Sequence, residues 1–239
     1  DNIIDMSLLE FSVREDLNIT APRVMAVLDP IKLTISNYPE GKEELLEGEI
    51  NPEQLELGSR TIPFSKHLLI EREDFKEEAN RKFFRLTLDK EVRLKNGYII
   101  KGESGVKNDL GMITEIICSY DPDSKSGSGT EASMRKVKGT LHWVSEAHAL
   151  PAEVRLYDRL FQVEAPDQDK EVDFKTHVNP NSLSIINAFV EPSLKTAKAF
   201  ENFQFQRLGY FVVDPDTTEH KLIFNKTVGL RDTWSKQNQ

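Results

Sequence analysis

Apolar and polar residues alternate with a period of two along most of the chain, the signature of half-buried strands. "KEVRLKNGY" is the clearest case, with Val92 and Leu94 on one face and Arg93 and Lys95 on the other. Nine segments read this way: "VMAVLDPIKLTISNYPEG", "TIPFSKHLLIERE", "KEVRLKNGYIIKGE", "ITEIICSYD", "KVKGTLHWVS", "AEVRLYDRLFQV", "SLSIINAFVE", "NFQFQRLGYFVVD" and "HKLIFNKTVGLRD". Pro, Gly, Asn and Asp punctuate them. The first twenty residues break the pattern. There Met6, Leu9, Val13 and Leu17 recur at helical spacing, and Ser7 and Glu10 make a capping box, predicting an amphipathic helix whose apolar face needs a neighbour. Two further helices are predicted, one in "DFKEEANRKFFRL" from the Asp74–Glu77 capping spacing, the other in "EPSLKTAKAFE" ending near Phe200. The Ser/Gly-rich "DPDSKSGSGTEASM" reads as a mobile surface loop between two strand sets of similar size. Many short strands with few helices imply a mainly β protein built as antiparallel barrels or sandwiches, and the two sets suggest paired barrels.

Composition narrows the class. The hydrophobic share of 38% and the charged share of 30% fit a soluble globular chain, and its 239 residues suffice for one large core or two small ones. No run of about 18 apolar residues is present, so no membrane span or membrane partner is expected. No secretory leader is seen, and Cys118 stands alone, so neither an internal disulfide nor a cysteine metal site is expected; both point to a cytoplasmic setting. The chain starts at Asp1 without a methionine, as a piece of a longer protein would.

Catalytic signatures are missing: no phosphate-binding glycine loop, no HExxH and no GxSxG elbow. His142 and His148 lack a convergent third ligand, so a strand-face and a turn histidine explain them better than a metal site. Glu153 and Asp158 sit beside Arg155 and Arg159, which favours salt bridges over acid–base chemistry. No catalytic residue, metal or cofactor is assigned to these residues.

Charge changes the picture. The formal net charge is −9, which disfavours nonspecific nucleic-acid binding, yet seven of the 31 Lys and Arg fall between Arg81 and Lys101, interrupted only by Asp89 and Glu91. On a strand, Arg93 and Lys95 stand about 7 Å apart on one face. On the predicted helix, Arg81 and Arg85 share a face at i and i+4. With Phe83 and Phe84 alongside, guanidinium forks and flat rings suit unstacked RNA bases, although on composition alone a solvated barrel face is the favoured account. In "NFQFQRLGYF", Gln204 and Gln206 oppose Phe203 and Phe205, and Arg207 is expected on the Phe side unless Gly209 marks a bulge.

"LNITAPRVMAVLDPIKLTISNYPEG", "GSRTIPFSKHLLIEREDFKEEANRKFFRL", "KEVRLKNGYIIKGE", "KVKGTLHWVSEAHALPAEVRLYDRLF" and "VGLRDTW" together resemble the C-terminal anticodon-binding region of the bacterial glutaminyl-tRNA synthetase family, colinearly from about Leu9 to Trp234. The resemblance implies two β-barrels of a type shared with a ribosomal protein that binds 5S RNA. It divides the chain into a helical remnant (1–20), a first barrel region (21–141) and a second (142–239), with strand exchange between them. It implies glutamine tRNA, through its anticodon loop, as partner, with no role for DNA and a monomeric parent. By position, Arg23 and Gln204 fall in the middle-base pocket, Arg207 near the anticodon backbone and bases, Arg85 at the third base, and Arg93 and Lys95 at the wobble base. Lys82 stands where some members place a middle-base glutamine, and Phe84 where a lysine occurs. Lys95 replaces an arginine, turning a bidentate contact into a point charge. The class I catalytic signatures are missing from these residues. The resemblance therefore implies that this region binds no ATP, and that ATP with magnesium and glutamine serve a catalytic domain of the parent ligase. The barrel region of a glutamyl-tRNA synthetase and a barrel without any RNA role are the alternatives.

Overall fold

The computed structural model describes residues 6–231. Its strands form two seven-stranded barrel-like sheets, one nearly closed and one a half-barrel, with a two-stranded ribbon of Glu44–Glu49 and Ser59–Phe64 beside them. The first sheet runs, edge to edge, through Thr140–Leu141, Glu91–Leu94, Ile99–Lys107, Ile113–Tyr120, Pro30–Ile35, His67–Glu71 and Val144–Ser145. The second runs through Arg23–Val24, Asn202–Phe205, Gly209–Val213, Leu222–Val228, Leu150–Tyr157, Leu183–Val190 and Ala26–Val27. In each sheet both edges belong to one short continuous segment, 140–145 in the first and 23–27 in the second, so neither sheet ends on a long unpaired strand. The ladders are mostly antiparallel. Parallel pairing occurs where 23–24 meets 204–205, 152–155 meets 222–225, 32–35 meets 115–118, and 140–141 meets 93–94.

Period two becomes burial directly. Along Pro30–Ile35, Ile31, Leu33 and Ile35 are buried while Lys32 and Thr34 are half-buried. The first core gathers Met25, Leu33, Phe64 and Trp143, and the Trp143 indole Nε1 donates to the Lys95 carbonyl at 2.9 Å. The second gathers Val154, Val190, Phe211 and Phe224 around Phe205, which stacks on Phe211 with ring centroids 4.2 Å apart. Each such side chain contributes about 1.5–3 kcal/mol of burial. Within the closing segment of the second sheet, Met25 turns the other way and enters the first core, which ties the two barrels together. At that break the Glu191 carboxylate accepts from the Met25 N–H and from Arg60, whose Nε lies 2.5 Å from Glu191 Oε1.

Several expectations are corrected. Residues 74–86 form no helix: after a 3-10 turn at Arg72–Asp74 the chain loops out and returns, with the Leu86 N–H donating to the Asp74 carbonyl and the Lys76 N–H to the Leu86 carbonyl. Asp74 is buried in tertiary ion pairs and caps nothing, and that overrides local propensity. The helix expected at 191–200 is reduced to a 3-10 turn, Pro192–Thr196. The Ser/Gly-rich segment contains a 3-10 turn at Pro122–Ser124 and a short helix at Glu131–Met134 capped by Thr130. Glu44–Glu49 is an additional strand, hidden by its acid-rich sequence, and it pairs with Ser59–Phe64. The "TIPFSKHLLIERE" segment breaks at Ser65–Lys66 between ribbon and sheet. The N-terminal helix spans Met6–Thr20 and places Ser7 inside it; Val13 and Leu17 pack on Ala21, Tyr210 and Val228, while Met6 and Leu9 stay exposed.

Candidate nucleic-acid interface

The opening strand and the late glutamine strand meet. Arg23 and Gln204 are register partners in a parallel pair, fixed by the Gln204 N–H on the Pro22 carbonyl (2.8 Å) and the Gln206 N–H on the Val24 carbonyl (2.9 Å). Gln204 is buried with its amide Nε2 on the Tyr210 hydroxyl at 2.9 Å. Tyr210 in turn donates to Asn18 Oδ1, which also accepts from Arg23 Nη2, both at 3.3 Å. A polar chain thus joins Gln204 to Arg23 through the N-terminal helix. Two buried polar atoms here, Arg23 Nε and Gln206 Oε1, have no partner among the described residues. Buried donors and acceptors left unmade cost about 1–3 kcal/mol each.

Three residues beyond Gln204, Arg207 sits in the turn after the strand at φ +68°, a left-handed conformation uncommon outside glycine. That φ, rather than a bulge at Gly209, turns the side chain; the register shift lies further on, between Tyr210 and Phe211. Arg207 grips Asp74 with both arms, Nη1 to Oδ2 at 2.5 Å and Nη2 to Oδ1 at 2.7 Å, and Nη1 also lies 3.0 Å from His142 Nδ1. Burial alone would lower the Arg207 pKa; the hydrogen bonds and charge of Asp74 outweigh it and hold it above the ordinary arginine value. His142 leads on to Glu71, Nε2 to Oε1 at 3.3 Å, and Glu71 accepts from the Leu28 and Asp29 N–H groups. Burial opposes ionisation of Glu71, yet His142 and the two backbone donors hold its pKa below the usual value.

Arg85 reaches the same aspartate, its Nε 3.2 Å from Asp74 Oδ1, with Nη1 on the Glu73 carbonyl and Nη2 near the Glu73 carboxylate. From Arg85 a cleft of about 290 Å³ opens, lined by Arg81, Phe83, Phe84, Lys90, Lys138 and their neighbours. Lys138 lies over the Phe84 ring at 5.5 Å, and the Phe83 ring is approached by Lys76 and Arg85. The rings and cations expected on a helix face are therefore together, on a loop. Gly139 permits the loop's close approach: a Cβ there would lie 2.5 Å from the Phe84 carbonyl oxygen.

Arg93 and Lys95 part company. The Arg93 guanidinium is enclosed by the 122–135 segment: Nη1 donates to the Ser124 carbonyl and Ser126 Oγ, Nη2 to the Ser133 and Arg135 carbonyls. Burial first, then the charge of Arg135, lowers its pKa. Lys95 is exposed in the turn after the strand. Lys82 is exposed on the 75–88 loop, and neither lysine has an ion pair among the described residues. The sequence suggests a helix cap at Asp74 and a strand-face histidine at His142 and does not single out Glu71; the acids closing the apolar "HLLIERED" were the available signal. Glu153 is paired with Arg155 and Lys221, as an ordinary strand salt bridge. Among the described residues no group of three or more His, Cys, Asp or Glu could hold a metal ion.

Two barrel-like sheets are joined by a buried ionic seam with cations and rings along one edge of it, and family comparison identifies the class of domain this is. Residues 21–121 and 140–214 match two models of the anti-codon binding domain of class I tRNA synthetases (E and Q), and the chain belongs to that family. Within it, the chain is similar to the glutamine–tRNA ligase of Rhodopirellula baltica, 56% identical over 237 residues, covering 99% of this chain and 39% of that protein. The glutamine–tRNA ligases of Idiomarina loihiensis (52% over 240 residues, 100% and 42%) and Proteus mirabilis (52% over 236 residues, 99% and 42%) are comparably similar. The chain thus spans about two-fifths of the length of these relatives.

Proposed function

We propose that these residues read the anticodon of glutamine tRNA for a glutamine–tRNA ligase. The observation that carries this reading is the direct pairing of Arg23 with Gln204, from opposite ends of the chain, beside two buried polar atoms without partners. A splayed base entering there would satisfy them, while a wrong base would leave them unpaired. Arg207 and Arg85 extend the surface toward the Phe84 cleft, and Lys82 and Lys95 stand free to meet phosphates. The whole enzyme, with its ATP and magnesium handled in the remaining three-fifths of the relatives' length, would act as a cytoplasmic monomer, with no part for DNA or a membrane. The family description covers E and Q enzymes alike; the names of the similar proteins favour glutamine over glutamate.

Titration of anticodon stem-loops with this chain tests the reading. The glutamine anticodon should bind better than one with the middle base changed, and affinity should fall by about 0.7–0.9 log units per phosphate contact per log of salt. Arg23→Ala and Gln204→Ala should weaken binding selectively for the correct middle base, and Lys101→Ala should do little. Binding blind to the anticodon would favour a barrel without an RNA role.

A further inference from the structure

Asp74 has no counterpart among the expected RNA contacts, yet it is the point at which the two sets of arginines meet. It is fully buried. Its Oδ1 accepts from Arg207 Nη2 and lies within salt-bridge distance of Arg85 Nε, and its Oδ2 accepts from Arg207 Nη1. Arg207 comes from the second sheet's turn, and Arg85 from the loop that returns to the first sheet. Asp74 itself is anchored at the mouth of that loop, where its carbonyl accepts the Leu86 N–H. A carboxylate in this position fixes both the separation and the orientation of two guanidinium groups that would otherwise repel each other. It also occupies the Nη edge of Arg207, while Arg85 turns its Nε to Asp74 and its two Nη groups to Glu73.

We infer that Asp74 is a positioning residue for anticodon recognition: it sets the relative pose of Arg207 and Arg85, and base discrimination depends on that pose. This rests on the anticodon-reading proposal above and goes beyond it. A merely structural aspartate would affect stability and all RNAs alike. Charge alone makes the opposite prediction to positioning, because removing a buried negative charge beside two arginines should tighten binding to any RNA.

Two variants of the full chain separate these cases, Asp74→Asn, which keeps the shape and loses the charge, and Asp74→Glu, which keeps the charge and displaces the acceptors. Each is melted to check folding and titrated with stem-loops carrying the glutamine anticodon or a changed third base. The expected result is a loss of about tenfold in the ratio of the two affinities for both variants, equivalent to roughly 1.4 kcal/mol, with Asp74→Asn binding the changed stem-loop as well as or better than the parent chain. A folded variant that keeps the parent's ratio would overturn the inference. So would failure of both variants to fold, which would make Asp74 a residue of the fold alone. A parent chain that itself ignores the third base would instead overturn the anticodon reading at Arg85.

Discussion

At the scale of single residues, side-chain chemistry can be read from the chain but side-chain direction cannot. Arg23, Arg85, Gln204 and Arg207 were all nameable from the chain, but the reason that each points where it does was not. Arg207 depends on a positive φ and on a carboxylate 133 positions away; neither leaves a local trace. Arg93 shows the converse. Its alternation with Val92 and Leu94 correctly placed it off the core, but the partners that fill its donors lie in a segment that composition marks as featureless. Arg93→Ala should leave several carbonyls of 124–135 without a donor, reducing stability by about 1–3 kcal/mol in chemical denaturation and lowering amide-exchange protection through that segment. A third residue-level case is Glu44, which accepts from the Tyr38 and Tyr98 hydroxyls and pairs with Lys42 and Lys125. Burial pushes its pKa up, but the two tyrosines and Lys42 prevail and bring it down to about 2 from 4.5. A depressed carboxylate stabilises the fold above its unfolded pKa, and that contribution is lost as pH falls from about 4.5 toward 2. Melting temperature measured across that window should fall less steeply in Glu44→Gln than in the parent.

Elements were legible where pattern and burial coincide, and illegible where a tertiary partner outbids propensity. Strands such as Pro30–Ile35 and Glu91–Leu94 emerged from period two because one face must meet a core. Glu44–Glu49 did not, since only Leu46 and Gly48 are buried in a run of acids. The 74–86 segment has the residues of a helix, yet a fully buried Asp74 clamped by two arginines cannot also cap one. The N-terminal helix packs on the body through Val13 and Leu17, so Leu17→Ala should cost about 2–5 kcal/mol, read from denaturant midpoints. Gly139 marks where the 81–85 loop touches the strand segment. Gly139→Ala must displace the Phe84 carbonyl, so it should weaken stem-loop binding in titrations while barrel strands keep their exchange protection.

At the scale of the whole molecule, two barrels become one object through contacts between residues distant in sequence. The buried Arg60–Glu191 pair, with Glu191 also accepting from the Met25 backbone and Ser193, closes the seam on one side, and Arg207–Asp74 closes it on another. Removing one member of a buried pair strands the other charge, so Glu191→Ala should destabilise the chain by about 3–5 kcal/mol, visible as a lowered or split thermal transition. The sequence alone determined that the chain is mainly β, that it forms two strand sets, and which residue types were available to meet RNA, because alternation, turn residues and side-chain chemistry are properties of short stretches. Only the tertiary structure decided that 23–27 completes the sheet of 150–228, that 74–86 is a loop, and that Asp74 joins Arg85 to Arg207. Those outcomes depend on which distant groups share a buried, poorly solvated space, where an unpaired charge or amide is too costly to leave, and no local pattern encodes that proximity.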